Sequence, residues 1–204
     1  MPLFTKGDRR ILFVHVPKTG GTSVEAMFEL AGWTRTLYEI EPRNLEPLVC
    51  SPQHWHAPIL EAIVDQRAVE ATFMVARDPL ARFRSEYSFH VRDPGLGRAE
   101  CVDAWAETVF TMYEKDPFLL DNHLRPQAEF ILPQASVYRL EAGLDLIAQD
   151  LEDNLHLGLP PGALHLYDSA VDGGLKSRDV EISDDLEALL RQVYAIDYQV
   201  FGYS

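Results

Sequence analysis

Residues 11–23, ILFVHVPKTGGTS, constrain the fold of this chain more than any other stretch. A β-branched, apolar run of strand length stops at Pro17. Lys18, Thr19, Gly20, Gly21, Thr22 and Ser23 follow, and residues 24–30 then set apolar side chains at helical spacing. This order reads as a buried parallel strand, a tight turn and the start of a helix. In such a turn the backbone N–H groups of residues 19–23 point into one concave site at the positive end of the helix, and paired glycines let an anion approach the main chain closely. A Walker A loop, GxxxxGK[ST], sets its lysine directly before the final hydroxyl, whereas here the lysine leads. The plainer alternative is an ordinary glycine-rich turn between strand and helix.

The rest of the chain supplies a matching architecture. The first helix is expected over residues 23–31 with Gly32 as its stop, and the proline-rich stretch 33–58 reads as loop with one short strand, ending in Gln53-His54-Trp55-His56. A short helix over 58–64 precedes a second buried strand, residues 71–76, which runs straight into Arg77-Asp78-Pro79. Residues 80–90 suit a helix that buries Leu80, Phe83, Tyr87 and His90 and turns Arg82, Arg84 and Ser85 to other faces. An amphipathic helix follows over 102–115 with Trp105, Val109 and Met112 on one side, then the aperiodic polar run DNHLRPQ at 121–127. A third strand at 136–140 and a helix at 144–155 come next. Residues 158–177 read as a mobile loop with a candidate strand at 163–167, and Ser183 caps a last helix before closing aromatics that suit core packing. The alternation predicts a single three-layer α/β domain over residues 1–204, with a mainly parallel central sheet flanked by helices and ligands at the carboxyl ends of the strands.

Charge narrows the partners. Eighteen Lys and Arg against 32 Asp and Glu leave a net charge of −14, which disfavours nucleic acid or an anionic membrane as partner. The first residues, MPLFTKGDRR, hold no apolar stretch of signal-peptide length, and no segment approaches the roughly 18 to 20 apolar residues of a membrane span, so a cytoplasmic protein without a membrane anchor is expected. Cys50 and Cys101 stand far apart, read as reduced thiols, and support no structural zinc site.

HVPKTGGTS resembles the 5′-phosphosulfate loop of sulfotransferases, in the branch that includes the carbohydrate and heparan-type enzymes, which use 3′-phosphoadenosine 5′-phosphosulfate (PAPS) and release 3′,5′-ADP (PAP). VARDPLARFRSEY is similar to the family's 3′-phosphate segment, which would make Arg77 and Ser85 the phosphate-gripping pair. DNHLRPQ and, faintly, residues 197–203 resemble further segments of that branch. The resemblance implies a P-loop NTPase-like fold, with Thr19, Gly20, Gly21, Thr22 and Ser23 holding the 5′-phosphate and Lys18 acting on the bridging oxygen without a metal. Lys176 and Arg178, beside Gly173-Gly174, are candidates for a late basic loop over the 3′-phosphate.

Sulfuryl transfer also needs a base for the acceptor hydroxyl, and histidine titrates in the right range. His54 and His56 are two apart, on one face of an extended segment with Trp55 on the other, and His56 is favoured as base with His54 orienting the acceptor. His123 and Arg125 are either acceptor-pocket residues or pins for their loop, and His15 reads as a satisfied core residue. The excess of negative charge favours a carbohydrate or small hydroxylated metabolite over a polyanionic acceptor. Two other readings stay open at this point: a P-loop-type nucleotide kinase or NTPase, with Asp78 as the carboxylate placed for magnesium, and a non-catalytic nucleotide-binding module.

Overall fold

The computed structural model of the chain describes residues 2–37, 48–91, 101–160 and 175–204. Strand β1 (Leu3–Lys6) turns back through Gly7, at φ +59°, to pair antiparallel with β2 (Arg9–Val14). Helix α1 (Gly21–Leu30) follows the turn, and β3 (Thr34–Thr36) returns to the other side of β1, again antiparallel. Strands β4 (Ala71–Ala76) and β5 (Ser136–Arg139) extend the sheet in parallel on the β2 side, giving the order β3-β1-β2-β4-β5.

The sheet is therefore mixed, not mainly parallel as its alternating pattern suggested. Four strands share one direction, but β1 lies between β3 and β2 and makes both of its pairings antiparallel. The cause is local, because a two-residue turn can join only antiparallel neighbours. Four residues flanked by a charged turn left no periodic signal for β1 in the sequence.

Strand alternation sends side chains to two covered faces. Phe4, Ile11, Phe13, Phe73 and Val75 pack against Val24, Met27 and Phe28 of α1 and Ile147 and Leu151 of α5 (Leu144–Leu155). Leu12, Val14, Met74 and Ala76 face Leu60 of α2 (Ala57–Ile63), Phe130, Leu132 and Phe201 of α7 (Ala195–Phe201). A third cluster joins α3 (Pro79–His90), α4 (Val102–Tyr113) and α6 (Asp184–Val193) through Phe83, Ala106, Phe110, Leu190 and Tyr194.

Two helix faces differ from expectation. In α4 the buried stripe is Val102, Ala106, Val109 and Phe110, and Met112 is exposed. In α3, Arg82 is buried, because three backbone carbonyls accept from its guanidinium, as described below. Helix α7 was not expected; only Tyr194 separates it from α6. The candidate strand at 163–167 and Gly173-Gly174 lie outside the described residues. Cys50 is a buried thiol that burial pushes up to about 12, and Cys101 is exposed; both are unpaired by disulfide. Among the described residues, no helix is long and apolar enough to cross a membrane.

Candidate active site

Strands β2 and β4 run side by side, Val14 opposite Met74, and their carboxyl ends deliver the turn at 15–20 and Arg77 to one edge of the sheet. Lys18 takes a left-handed φ of +65° and Gly20 one of +88°, so the chain doubles back before α1. Gly20 is the N-cap of that helix, no side chain caps it, and the first turn carries no acidic residue. The positive helix end is thus left without the offset that Asp184, Asp185 and Glu187 give α6. Thr19 is wholly buried and its hydroxyl donates to the Val16 carbonyl at 2.9 Å. A Cβ on Gly21 would collide with the His15 imidazole, so only glycine fits there. Ser23 is buried and Thr22 exposed.

Arginines hold this turn from the side of α3. Arg77 Nη1 donates to the Lys18 carbonyl at 3.2 Å, and Arg82 Nε donates to the Pro17 carbonyl at 3.0 Å. Arg77 is itself clamped by Gln127, whose Oε1 accepts from the Arg77 N–H at 2.9 Å and whose Nε2 donates to the Arg77 carbonyl at 2.7 Å. Asp197 on α7 holds the Gln127 backbone N–H at 2.9 Å. Burial lowers the Arg77 guanidinium, against the pull of Glu141, and it stays cationic at neutral pH. Lys18 Nζ sits 4.0 Å above the ring centre of Phe89, the exposed aromatic near the end of α3.

Ser85 is half-buried on α3, one turn before Ser88, and the Ser88 hydroxyl donates to the Leu175 carbonyl at 2.5 Å. The single turn Ser177–Asp179 packs on α3, which brings exposed Lys176 and Arg178 to the helix that carries Ser85. Arg84 Nε on the same helix is buried without a hydrogen-bond partner among the described residues.

Three imidazoles meet behind the turn, each with a carboxylate on Nδ1 at 2.7 Å: His15 with Glu25, His54 with Asp121, His123 with Glu86. The His54 ring lies edge-on to His15 at 5.3 Å and to His123 at 4.7 Å between centres. Ser51 donates to Asp121 twice, from its N–H and its hydroxyl, both at 2.6 Å. Burial works to raise the Asp121 carboxyl, and the hydrogen bonds from His54 and Ser51 outweigh it, bringing it to about 2. Burial drives His54 down to about 3 against the opposing pull of Asp121, so the ring is neutral, with Nδ1–H directed at the carboxylate. Burial likewise lowers His15, against the hydrogen bond to Glu25. Glu25 is also bonded by Arg35, and burial is outweighed at Glu25 by His15 and Arg35, which hold its carboxyl low. Glu86 is fully enclosed; burial would raise it, and neighbouring His123 together with the hydrogen bonds from His123 and His90 hold it far below its ordinary range.

His56 stands apart. The two histidines do not share one face of an extended strand, because Pro52–His54 is a helical turn and His56 then caps α2. Its ring lies against Phe118 and Phe130, its Nδ1 is buried without a hydrogen-bond partner among the described residues, and burial, helped by Arg125, lowers it. Arg125 is buried and its donors go to Asn122 Oδ1, Glu129 and the Pro117 carbonyl, which ties down its own loop. Sequence reasoning missed Asp121, Glu86, Glu25, Gln127 and Asp197. The run DNHLRPQ contained two of them, and its mixture of buried-capable and charged residues without a period was the available signal.

An uncapped helix start, a glycine whose Cβ has no room, and two arginines on the turn fit a phosphate-bearing anionic group of the PAPS kind. No curated protein and no solved structure matches the chain. A family model described as the sulfotransferase family matches residues 1–204, so the chain belongs to the sulfotransferase family and is a PAPS-dependent enzyme.

Proposed function

We propose that this enzyme moves a sulfuryl group in line from PAPS to a hydroxyl of a carbohydrate or small hydroxylated metabolite, on a P-loop-like scaffold, with His54 as the general base. The observation that carries this reading is the neutral, buried His54 imidazole, backed by Asp121 and edge-on to His15, the residue that follows β2 and opens the turn. Thr19, Gly20, Gly21, Thr22 and Ser23 would hold the 5′-phosphate, and Arg77, Ser85, Lys176 and Arg178 the 3′-phosphate. PAPS supplies an activated sulfuryl group whose departure leaves charge on a phosphate oxygen. Lys18 answers that charge, and a proton or a hydrogen bond donated by its ammonium stabilises the leaving oxygen.

His54 takes the acceptor proton at Nε2 while Nδ1–H stays on Asp121, which fixes the tautomer and stabilises the imidazolium that forms. His123 orients the acceptor from the other side, its Nδ1 held by Glu86. His56 is displaced from the favoured role because its ring is packed between two phenylalanines away from the other histidines. The exposed ring of Phe89 beside Lys18 and His123 suits the C–H face of a sugar, and the chain's net charge of −14 disfavours a sulfated or carboxylated polymer as acceptor.

A thermal-shift series tests the donor half: 3′,5′-ADP without metal raises Tm, 5′-AMP raises it little, and ATP with magnesium gives no comparable rise. Sulfate transfer from labelled PAPS onto a panel of neutral sugars and small alcohols tests the acceptor half. Lys18→Ala keeps the 3′,5′-ADP shift and loses transfer; retained transfer removes Lys18 from the mechanism.

A further inference from the structure

His54, Asp121 and His123 each offer one ligand atom, and these atoms lie within 4.8 Å of one another. Two imidazoles and one carboxylate form the donor set of a borderline-soft divalent ion such as Zn²⁺, and a poor one for Mg²⁺ or Ca²⁺, which ask for oxygens. Outer partners are already in place. His123 Nδ1 is held by Glu86, the carboxylate-imidazole arrangement that fixes ring orientation in metal sites, and Asp121 is bonded twice by Ser51. A tetrahedral zinc with bonds of about 2.0–2.1 Å needs its ligand atoms roughly 3.3 Å apart, so the set must draw together. Asp121 is the most exposed of the three, with a third of its side chain open to solvent against about a tenth for each histidine.

We propose that Zn²⁺ binds between His54, Asp121 and His123 and inhibits sulfate transfer. This rests on the reading of His54 as base. Inhibition follows whichever ring nitrogen of His54 is used. An ion on Nε2 occupies the lone pair that accepts the acceptor's proton; an ion on Nδ1 displaces the hydrogen bond to Asp121 and moves the ring proton to Nε2, which then has no lone pair to offer. Binding and inhibition share one geometric cause.

Calorimetric titration of ZnCl₂ into EDTA-stripped, buffer-exchanged full chain tests the site without any assay of transfer. One ion per chain is expected, with affinity reduced at least tenfold in His123→Gln and in Asp121→Asn, and unchanged in Cys101→Ser. Circular dichroism and melting of each variant establish that it is folded, and His54→Gln repeats the test should one of them unfold. Binding undiminished in all three site variants overturns the site. In the wild type, Zn²⁺ is expected to suppress transfer and excess EDTA to restore it, with MgCl₂ at the same concentration inert. Stoichiometric binding that leaves transfer unchanged, or raises it, overturns the inhibitory role. Should the chain show neither transfer nor a 3′,5′-ADP shift, the reading of the reaction fails, while the titration still decides whether the metal site exists.

Discussion

His54 Nδ1 lies 2.7 Å from Asp121 Oδ2, a contact that closes 67 positions of sequence. It gives the His54 imidazole a fixed tautomer and distinguishes it from His56, whose Nδ1 has no hydrogen-bond partner among the described residues. His54→Ala is expected to lower kcat by about 10²–10⁴, the usual worth of a positioned general base. Asp121→Asn leaves a base that is misoriented and costs less, while His56→Ala keeps most of the rate if folding is intact. Steady-state kinetics with labelled PAPS decide between them: loss in His56→Ala with activity retained in His54→Ala reverses the assignment.

The Gly21 and His15 pair is a steric prediction. Gly21→Ala puts a methyl group into the His15 ring, and overpacking of this kind costs about 1–3 kcal/mol. The displaced ring also disturbs the start of α1, so the 3′,5′-ADP thermal shift should shrink. In Gly21→Ala with His15→Ala the clash is gone, and stability should exceed that of Gly21→Ala alone. A double variant no more stable than the single one places the strain elsewhere.

Acid should destabilise the fold earlier than its carboxylates alone require. His15, His54 and His56 are all lowered by burial, so below the unfolded pKa near 6.5 the unfolded chain binds protons that the folded chain refuses. Their stabilising contribution is fully present above about pH 6.5 and is lost as pH falls toward the folded values, which for His54 is about 3. Each refused proton tilts stability by up to about 1.4 kcal/mol per pH unit. Asp121, held at about 2, adds a further loss below its ordinary range. Urea unfolding in EDTA at pH 8, 7, 6 and 5 should show a plateau and then a fall, shallower in His54→Gln. Equal stability at pH 8 and pH 5 contradicts the neutral burial of these rings.

Gln127 is predicted to govern donor affinity without touching the donor. Gln127→Leu leaves the Arg77 N–H and carbonyl unpaired, and Arg77 loses the orientation that aims it at the turn. The dissociation constant for 3′,5′-ADP should rise roughly tenfold, equivalent to about 1.4 kcal/mol, while kcat at saturating PAPS changes little. Arg77→Ala should weaken binding further, and a fall in kcat alone in Gln127→Leu contradicts this role.

The strand-turn-helix at the start of the proposed donor site was legible because its signals are local. A strand-length run, Pro17, two glycines and helical spacing sit within twenty residues, and β4, α3, β5 and α5 declared themselves in the same way. What escaped was set by distance or brevity. β1 has four residues, and its partner in a tight turn is decided by Gly7. The helical turn at Pro52–His54 sends His54 and His56 in different directions, a result that the two-residue spacing in an extended reading inverts. The carboxylates that make the histidines useful stand 67 positions away for His54 and 37 for His123, and no window of sequence brings them together. Helical period sets Arg82 off the apolar face because it ranks residues by hydrophobicity, whereas its burial is secured by the Pro17, Arg125 and His123 carbonyls.

Asp197 accepts from the backbone N–H groups of Gln127 and Ala128, and Gln127 in turn grips Arg77. The turn at residues 17–23 is synthesised well before α7, yet the arginine that faces it is steadied through Gln127 by a carboxylate on that helix. During translation this support for Arg77 therefore forms only once α7 has emerged, so a nascent chain halted at Tyr194 would have its sheet strands but an arginine whose Gln127 clamp is itself unbraced.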